Sequence, residues 1–179
     1  LHKLKGFRFI MKKLSYTVWQ KIAEILSAIV IIATLAALIS YWPQIADKIP
    51  SHYNSAGQPD AWSNKNMLIA LAIVQVVLFI GITVLSLFPK IWNIPVAVSE
   101  AGKQRMILKT RTMICTMKLL LVIGFSYILL CSAVGRQLSG WFLAFIIITV
   151  IGNMIYYFVK TAQISLQDAR HAIKQDLEE

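Results

Sequence analysis

The side chains best suited to chemistry fall into two groups, one in a polar loop and one inside apolar segments. The loop reads Ile49-Pro50-Ser51-His52-Tyr53-Asn54-Ser55-Ala56-Gly57-Gln58-Pro59-Asp60-Ala61-Trp62-Ser63-Asn64-Lys65. His52 is its one imidazole, able to change charge near neutral pH or to donate and accept hydrogen bonds. A metal or pH-sensing site made from His52 with Asp47 or Asp60 has a thin ligand set, so no metal and no cofactor is expected. The plainer reading is an ordered loop with a hydrogen-bonded histidine. Pro50 and Pro59 fix φ and extend the residue before each, while Asn54 to Gly57 supplies turn chemistry between them. Tyr41, Trp42, Tyr53 and Trp62 add aromatic surface suited to a membrane interface. Pro50, His52, Asn54, Gly57, Pro59, Asp60, Trp62 and Lys65 are therefore the candidate recognition residues, with His52 and Asn54 giving polar contacts and Trp62 anchoring the loop to the bilayer surface.

The second group is Glu24, Lys118 and Asn153. Lys118 lies about 9 Å along a helix from the start of its apolar segment, and Asn153 sits at a similar depth. A lone lysine there is expected to snorkel its ammonium to the headgroups; pairing with Glu24 or Asn153 is the alternative. Cys115 and Cys131 would stand about 24 Å apart on one helix, too far to bridge, and read as packing residues. There is no HExxH, GxSxG, GxxxxGK[ST] or CxxC pattern, and the chain has 3 histidines in all. A catalytic constellation has little to be built from, and no enzyme is expected.

The scaffold that carries these groups is legible from composition. Of 179 residues, 58% are hydrophobic and 15% charged, with a mean hydropathy of +0.66. A soluble domain has neither this balance nor repeated apolar stretches of about 20 residues, the length that crosses a hydrocarbon core about 30 Å thick. The expected fold class is all-α, an integral membrane protein of four transmembrane helices at about 22–42, 67–88, 112–134 and 140–159. Residues 1–21 form a basic N-terminal segment, 22–160 the four-helix membrane domain with an outer loop at 43–66, and 161–179 a C-terminal tail. Continuation of the first apolar run past Ala36, through Leu38 and Ile39, argues for an uncleaved helix over a signal peptide, and Met11-Lys12-Lys13 resembles a bacterial amino terminus.

Lys3, Lys5, Arg8, Lys12, Lys13, Lys21, Lys90, Lys103, Arg105, Lys109, Arg111, Lys160, Arg170 and Lys174 share one side of this arrangement, and only Lys48, Lys65 and Arg136 lie on the other. The positive-inside rule then places both termini and the 89–111 loop in the cytoplasm. The net charge of +10 belongs to these flanks, so no nucleic-acid partner is expected; anionic lipid suffices to attract it. In the tail, Leu166, Ala169, Ile173 and Leu177 share a helix face, expected to cap the bundle, with the bilayer surface as the other place it could lie.

The stretch Pro50-x-His52-x-Asn54-x-x-Gly57-x-Pro59-Asp60, with Lys65 just before an apolar helix, resembles the membrane family called domain of unknown function 1648. Asn93-Ile94-Pro95-Val96 is similar to a second segment of that family, and the resemblance extends over about residues 20–160. It implies a bacterial membrane protein distantly like the immunity and signalling proteins that protect spore-delaying cells from their own secreted toxic peptide. The expected function is thus non-enzymatic, in a bacterial cytoplasmic membrane, with immunity or sensing through the outer loop and a peptide ligand or a membrane or cytoplasmic protein as partner besides the lipid bilayer. A small transporter or channel subunit, or a structural subunit of a membrane complex, are the alternatives.

Overall fold

The computed structural model describes residues 15–92 and 99–178, apart from the Asp176 side chain. The Asn93–Val96 match and the basic residues before position 15 lie outside the described residues. Four helices, α1 (Val18–Tyr41), α2 (Met67–Leu87), α3 (Glu100–Ala133) and α4 (Phe142–Glu178), are each long and apolar enough to cross a membrane. Short 3₁₀ turns follow α1 at Trp42–Gln44 and α2 at Pro89–Ile91, each with a proline in its first turn. Proline suits that place, where its missing N–H would have no helical partner.

Several helix ends differ from those read in the sequence. α1 starts four residues earlier than expected, because Thr17 and Gln20 form a capping box: Thr17 Oγ1 accepts from the Gln20 N–H and Gln20 Oε1 from the Thr17 N–H. Two N–H groups that would lack partners are thereby satisfied. α3 begins at Glu100, not near Thr112, with the Ser99 hydroxyl accepting from the Gly102 N–H. α4 runs through the predicted tail without a break. Hydropathy marks the part of a helix that lipid tolerates, whereas backbone hydrogen bonding continues into water until a cap or breaker stops it.

The third helix is the hub. α3 packs against α1, α2 and α4, while α1 and α2 touch each other much less. A seam along α3 through Ile107, Arg111, Cys115, Lys118, Val122, Ser126, Leu129 and Ala133 is buried, recurring at the three-to-four-residue spacing of one helix face. None of the apolar window of α4 is buried. The expected capping stripe of the tail is also not buried: Leu166, Ile173 and Leu177 are exposed. The face that meets the start of α3 instead carries Ile164, which is buried, and Asp168, one turn on, whose carboxylate accepts from the Ser99 N–H and pairs with Arg105.

The 43–66 loop departs from the all-α expectation. Lys48–Tyr53 (β1) and Pro59–Asn64 (β2) form a two-stranded antiparallel hairpin, irregular around His52. An isolated two-stranded hairpin is marginal in water, so this one must draw stability from what it rests on. Ile45 and Ile49 provide that support. They are buried in one cluster with Leu38 of α1, Leu68 and Ala72 of α2, and Leu129 and Ala133 of α3. Each isoleucine kept from water contributes about 1.5–3 kcal/mol.

Candidate functional site

The motif residues divide sharply once placed. Asn54 sits at the tip of the hairpin, and its Oδ1 accepts from the N–H groups of Ala56 and Gln58, both at 3.0 Å. Its acceptor oxygen is thus spent on the turn, and the amide nitrogen is the polar group Asn54 has left to offer. Gly57 has φ +78°, and a Cβ there would lie 2.5 Å from the Leu138 carbonyl oxygen. Only glycine both adopts that backbone and admits that approach. The Gly57 carbonyl in turn accepts from the Leu138 N–H at 2.9 Å, so the hairpin tip is stitched to the link between α3 and α4.

Pro50 is fully buried opposite Trp62, and Pro59 opens β2. Lys65 pairs with Asp47 at 3.1 Å and donates to the Ile45 carbonyl at 3.4 Å, closing the base of the hairpin near the face of Trp42. Tyr53, expected as interfacial surface, points its hydroxyl at α3: it donates to the Arg136 carbonyl at 3.2 Å and lies 3.0 Å from Ser132 Oγ. With its proton given to the carbonyl, the phenol oxygen accepts from Ser132. Burial at this seam pushes the Tyr53 hydroxyl above its ordinary pKa, the Ser132 hydrogen bond pulling the other way, so it stays a donor at neutral pH.

Three motif side chains then face outward. His52 Nδ1 lies 2.5 Å from Asp60 Oδ1, with side chains 69% and 43% exposed, and Trp62 is exposed beside them. An imidazole held by a carboxylate presents its other nitrogen, Nε2, to whatever approaches. No group of three or more metal-ligating side chains occurs among the described residues.

Inside the helices, Lys118 does not snorkel. It is 0% exposed, its ammonium donating to Glu24 of α1 and, at 2.7 Å, to Thr83 Oγ1 of α2, with the Phe79 ring centroid 4.7 Å away. Side chains lean toward a helix's N-terminus, which directs Lys118 toward that end of the bundle, but α1 and α2 close over it before it reaches the surface. Asn153 is not part of this cluster; its Nδ2 donates to the Met113 carbonyl and ties α4 to α3.

Further polar contacts on the same seam went unread in the sequence. Gln75 of α2, 1% exposed, donates to Ser126 Oγ at 2.7 Å and to the Val122 carbonyl at 3.0 Å. Arg111, read as a loop cation, is 3% exposed, donates to the Ser86 carbonyl and stacks over Tyr16. A glutamine inside the uncharged, mostly apolar 67–88 segment was a legible signal for the first. Arg111 carried none, because its burial comes from helices that continue past the apolar run. Neighbouring helices are thus held to α3 by polar contacts of buried side chains.

The arrangement offers a docked hairpin with an exposed His–Asp pair at one end of a bundle clamped by a buried ion pair. No curated protein and no solved structure matches the chain. Residues 28–76, from within α1 through the hairpin into α2, match a family model described as domain of unknown function (DUF1648). That match, over the motif whose glycine, asparagine and lysine hold the hairpin in place, assigns this segment of the chain to the DUF1648 family.

Proposed function

We propose that this chain is a non-enzymatic, four-span protein of a bacterial cytoplasmic membrane, with both termini inside, that recognises a peptide at its outer hairpin in immunity or sensing. The observation that carries the reading is the division of labour within the motif. Asn54, Gly57 and Lys65 build and dock the hairpin, while His52 and Asp60 are left exposed on it. A rigid platform with a few unburied polar groups suits recognition, since little order remains to be imposed when a ligand arrives. Four helices able to span a membrane and the one-sided distribution of Lys and Arg support the placement.

Cells expressing the protein are expected to survive a membrane-active secreted peptide that kills cells without it. His52→Ala with Asp60→Asn should abolish survival at unchanged membrane abundance. Full protection by that double variant removes the hairpin pair from the function, and equal killing with and without the wild-type chain removes the immunity reading. Topology is tested by thiol labelling with an impermeant reagent: Ser55→Cys and Ser139→Cys label in intact cells and Ser99→Cys does not. The native Cys115 and Cys131 are buried, so background is low.

A second reading, a small transporter or channel subunit, is favoured by the Glu24–Lys118 pair, because charges inside a membrane often mark ion pathways. Substrate-dependent flux in proteoliposomes would select it.

A further inference from the structure

Beside the docked hairpin, α1 and the end of α3 enclose a groove of about 600 Å³, within the range of sites that hold one small ligand. Its floor includes Leu38, Leu130 and Ala133, and its rim carries Tyr41, Gln44 and Arg136. The Tyr41 hydroxyl, the Gln44 amide and the Arg136 guanidinium have no hydrogen-bond or ion-pair partner among the described residues. The contrast with the neighbouring charges is sharp, since Asp47 is taken by Lys65 and Asp60 by His52. An uncompensated guanidinium therefore stands at the mouth of an apolar trough, and it stands just past Ala133, the last residue of α3, at the level where a spanning helix meets the headgroups.

We infer that this groove is a phospholipid site of the hairpin-side leaflet, with Arg136 holding the phosphate of an anionic lipid and the proximal acyl chain lying over Leu38 and Leu130. Charge complementarity selects the headgroup, because a guanidinium presents paired N–H donors matched to phosphate oxygens and keeps its charge at any physiological pH. The apolar floor selects the rest of the occupant: it offers an acyl chain contact while giving a wholly polar anion nothing. Tyr41 and Gln44 donate from the α1 side of the rim, so the headgroup is held between two elements. Bound there, the lipid would lie against the helix end that receives Tyr53 at Ser132, next to the hairpin but clear of His52. The inference rests on membrane insertion and not on recognition at His52.

Native mass spectrometry of the purified full chain in detergent, titrated with phosphatidylglycerol or phosphatidylcholine, tests this. Wild type should retain one phosphatidylglycerol in preference to phosphatidylcholine. Arg136→Gln should weaken phosphatidylglycerol about tenfold, the effect of losing one charge-assisted contact, with Arg136→Lys between the two. Leu130→Trp, which fills the floor, should lower retention of both lipids, and helical circular dichroism confirms that each variant is folded. His52→Ala with Asp60→Asn should leave lipid retention unchanged, so loss of protection in those variants and loss of lipid in Arg136→Gln fail separately. Equal phosphatidylglycerol retention by wild type and Arg136→Gln overturns the inference. So does a wild-type dimer that dissociates in Arg136→Gln, which would make a second copy the occupant.

Discussion

Two carboxylate pairs in this protein, one with a lysine and one with a histidine, use similar chemistry to opposite ends. Glu24–Lys118 joins α1 to α3 with the lysine wholly enclosed, whereas His52–Asp60 joins the two strands of a hairpin with both partners largely exposed. Burial decides the difference. In a low-dielectric interior an ionised group cannot be left without its partner, so the inner pair constrains which helices meet and in what register. At the surface water can replace either partner at little cost, so the outer pair contributes little to the fold and stays available to something else.

The largest expected effect comes from opening the inner pair. Lys118→Met leaves Glu24 charged and unpaired, and Glu24→Gln leaves the lysine so; each should cost about 3–5 kcal/mol, the range for breaking a buried pair from one side. Folded protein, measured as membrane abundance and thermal stability in detergent, should fall steeply in both. The double substitution Glu24→Leu with Lys118→Met should recover much of the loss, since no charge remains to desolvate. Additive losses in the double variant would show that the pair is not a coupled unit.

Gly57→Ala comes next. Its Cβ would meet the Leu138 carbonyl, and the position has positive φ, so about 1–3 kcal/mol of strain must be relieved by lifting the hairpin tip. Membrane abundance should survive while amide exchange at Leu138, whose N–H is bonded to Gly57, accelerates. Unchanged exchange would mean that the docking seen at this seam does not depend on the glycine.

Removing the Tyr53 hydroxyl is a smaller perturbation. Tyr53→Phe deletes two hydrogen bonds at the seam and should destabilise by about 1–2 kcal/mol, with Ser132→Ala producing part of the same effect and little more in combination. Smallest of all is His52→Ala, for which the thermal midpoint should stay near wild type while any ligand response is lost. A marked fall in the midpoint would move His52 from the exposed site into the group that holds the hairpin.

Much of the fold was legible because long apolar runs obey a one-dimensional rule. A segment with no water to hydrogen-bond its backbone must be helical and apolar for about 20 residues, and the stretches around Met67–Leu87 and Phe142–Val159 announce this on their own. The turn chemistry of Asn54 and Gly57 was equally local, since a side chain that bonds its own backbone and a residue suited to positive φ need no distant partner to be recognised. The order of the outer loop followed from the prolines and that turn. Its strand pairing did not, because the pairing is irregular around His52 and held by Ile45 and Ile49 on the helix ends.

Partners far apart in the chain were set by the assembled helices alone. The residues around Lys118 already placed it inside an apolar segment. Whether it would snorkel or pair depended on α1 and α2 arriving together around it, bringing Glu24 from 94 positions away and Thr83 from 35. Residue type likewise marked Gly57 as a turn position, but its second role, admitting the Leu138 carbonyl, exists only once α3 has turned back beside the hairpin. The physical reason is common to both cases: conformational preference is written in a residue and its neighbours, while burial and charge compensation belong to the assembled surroundings.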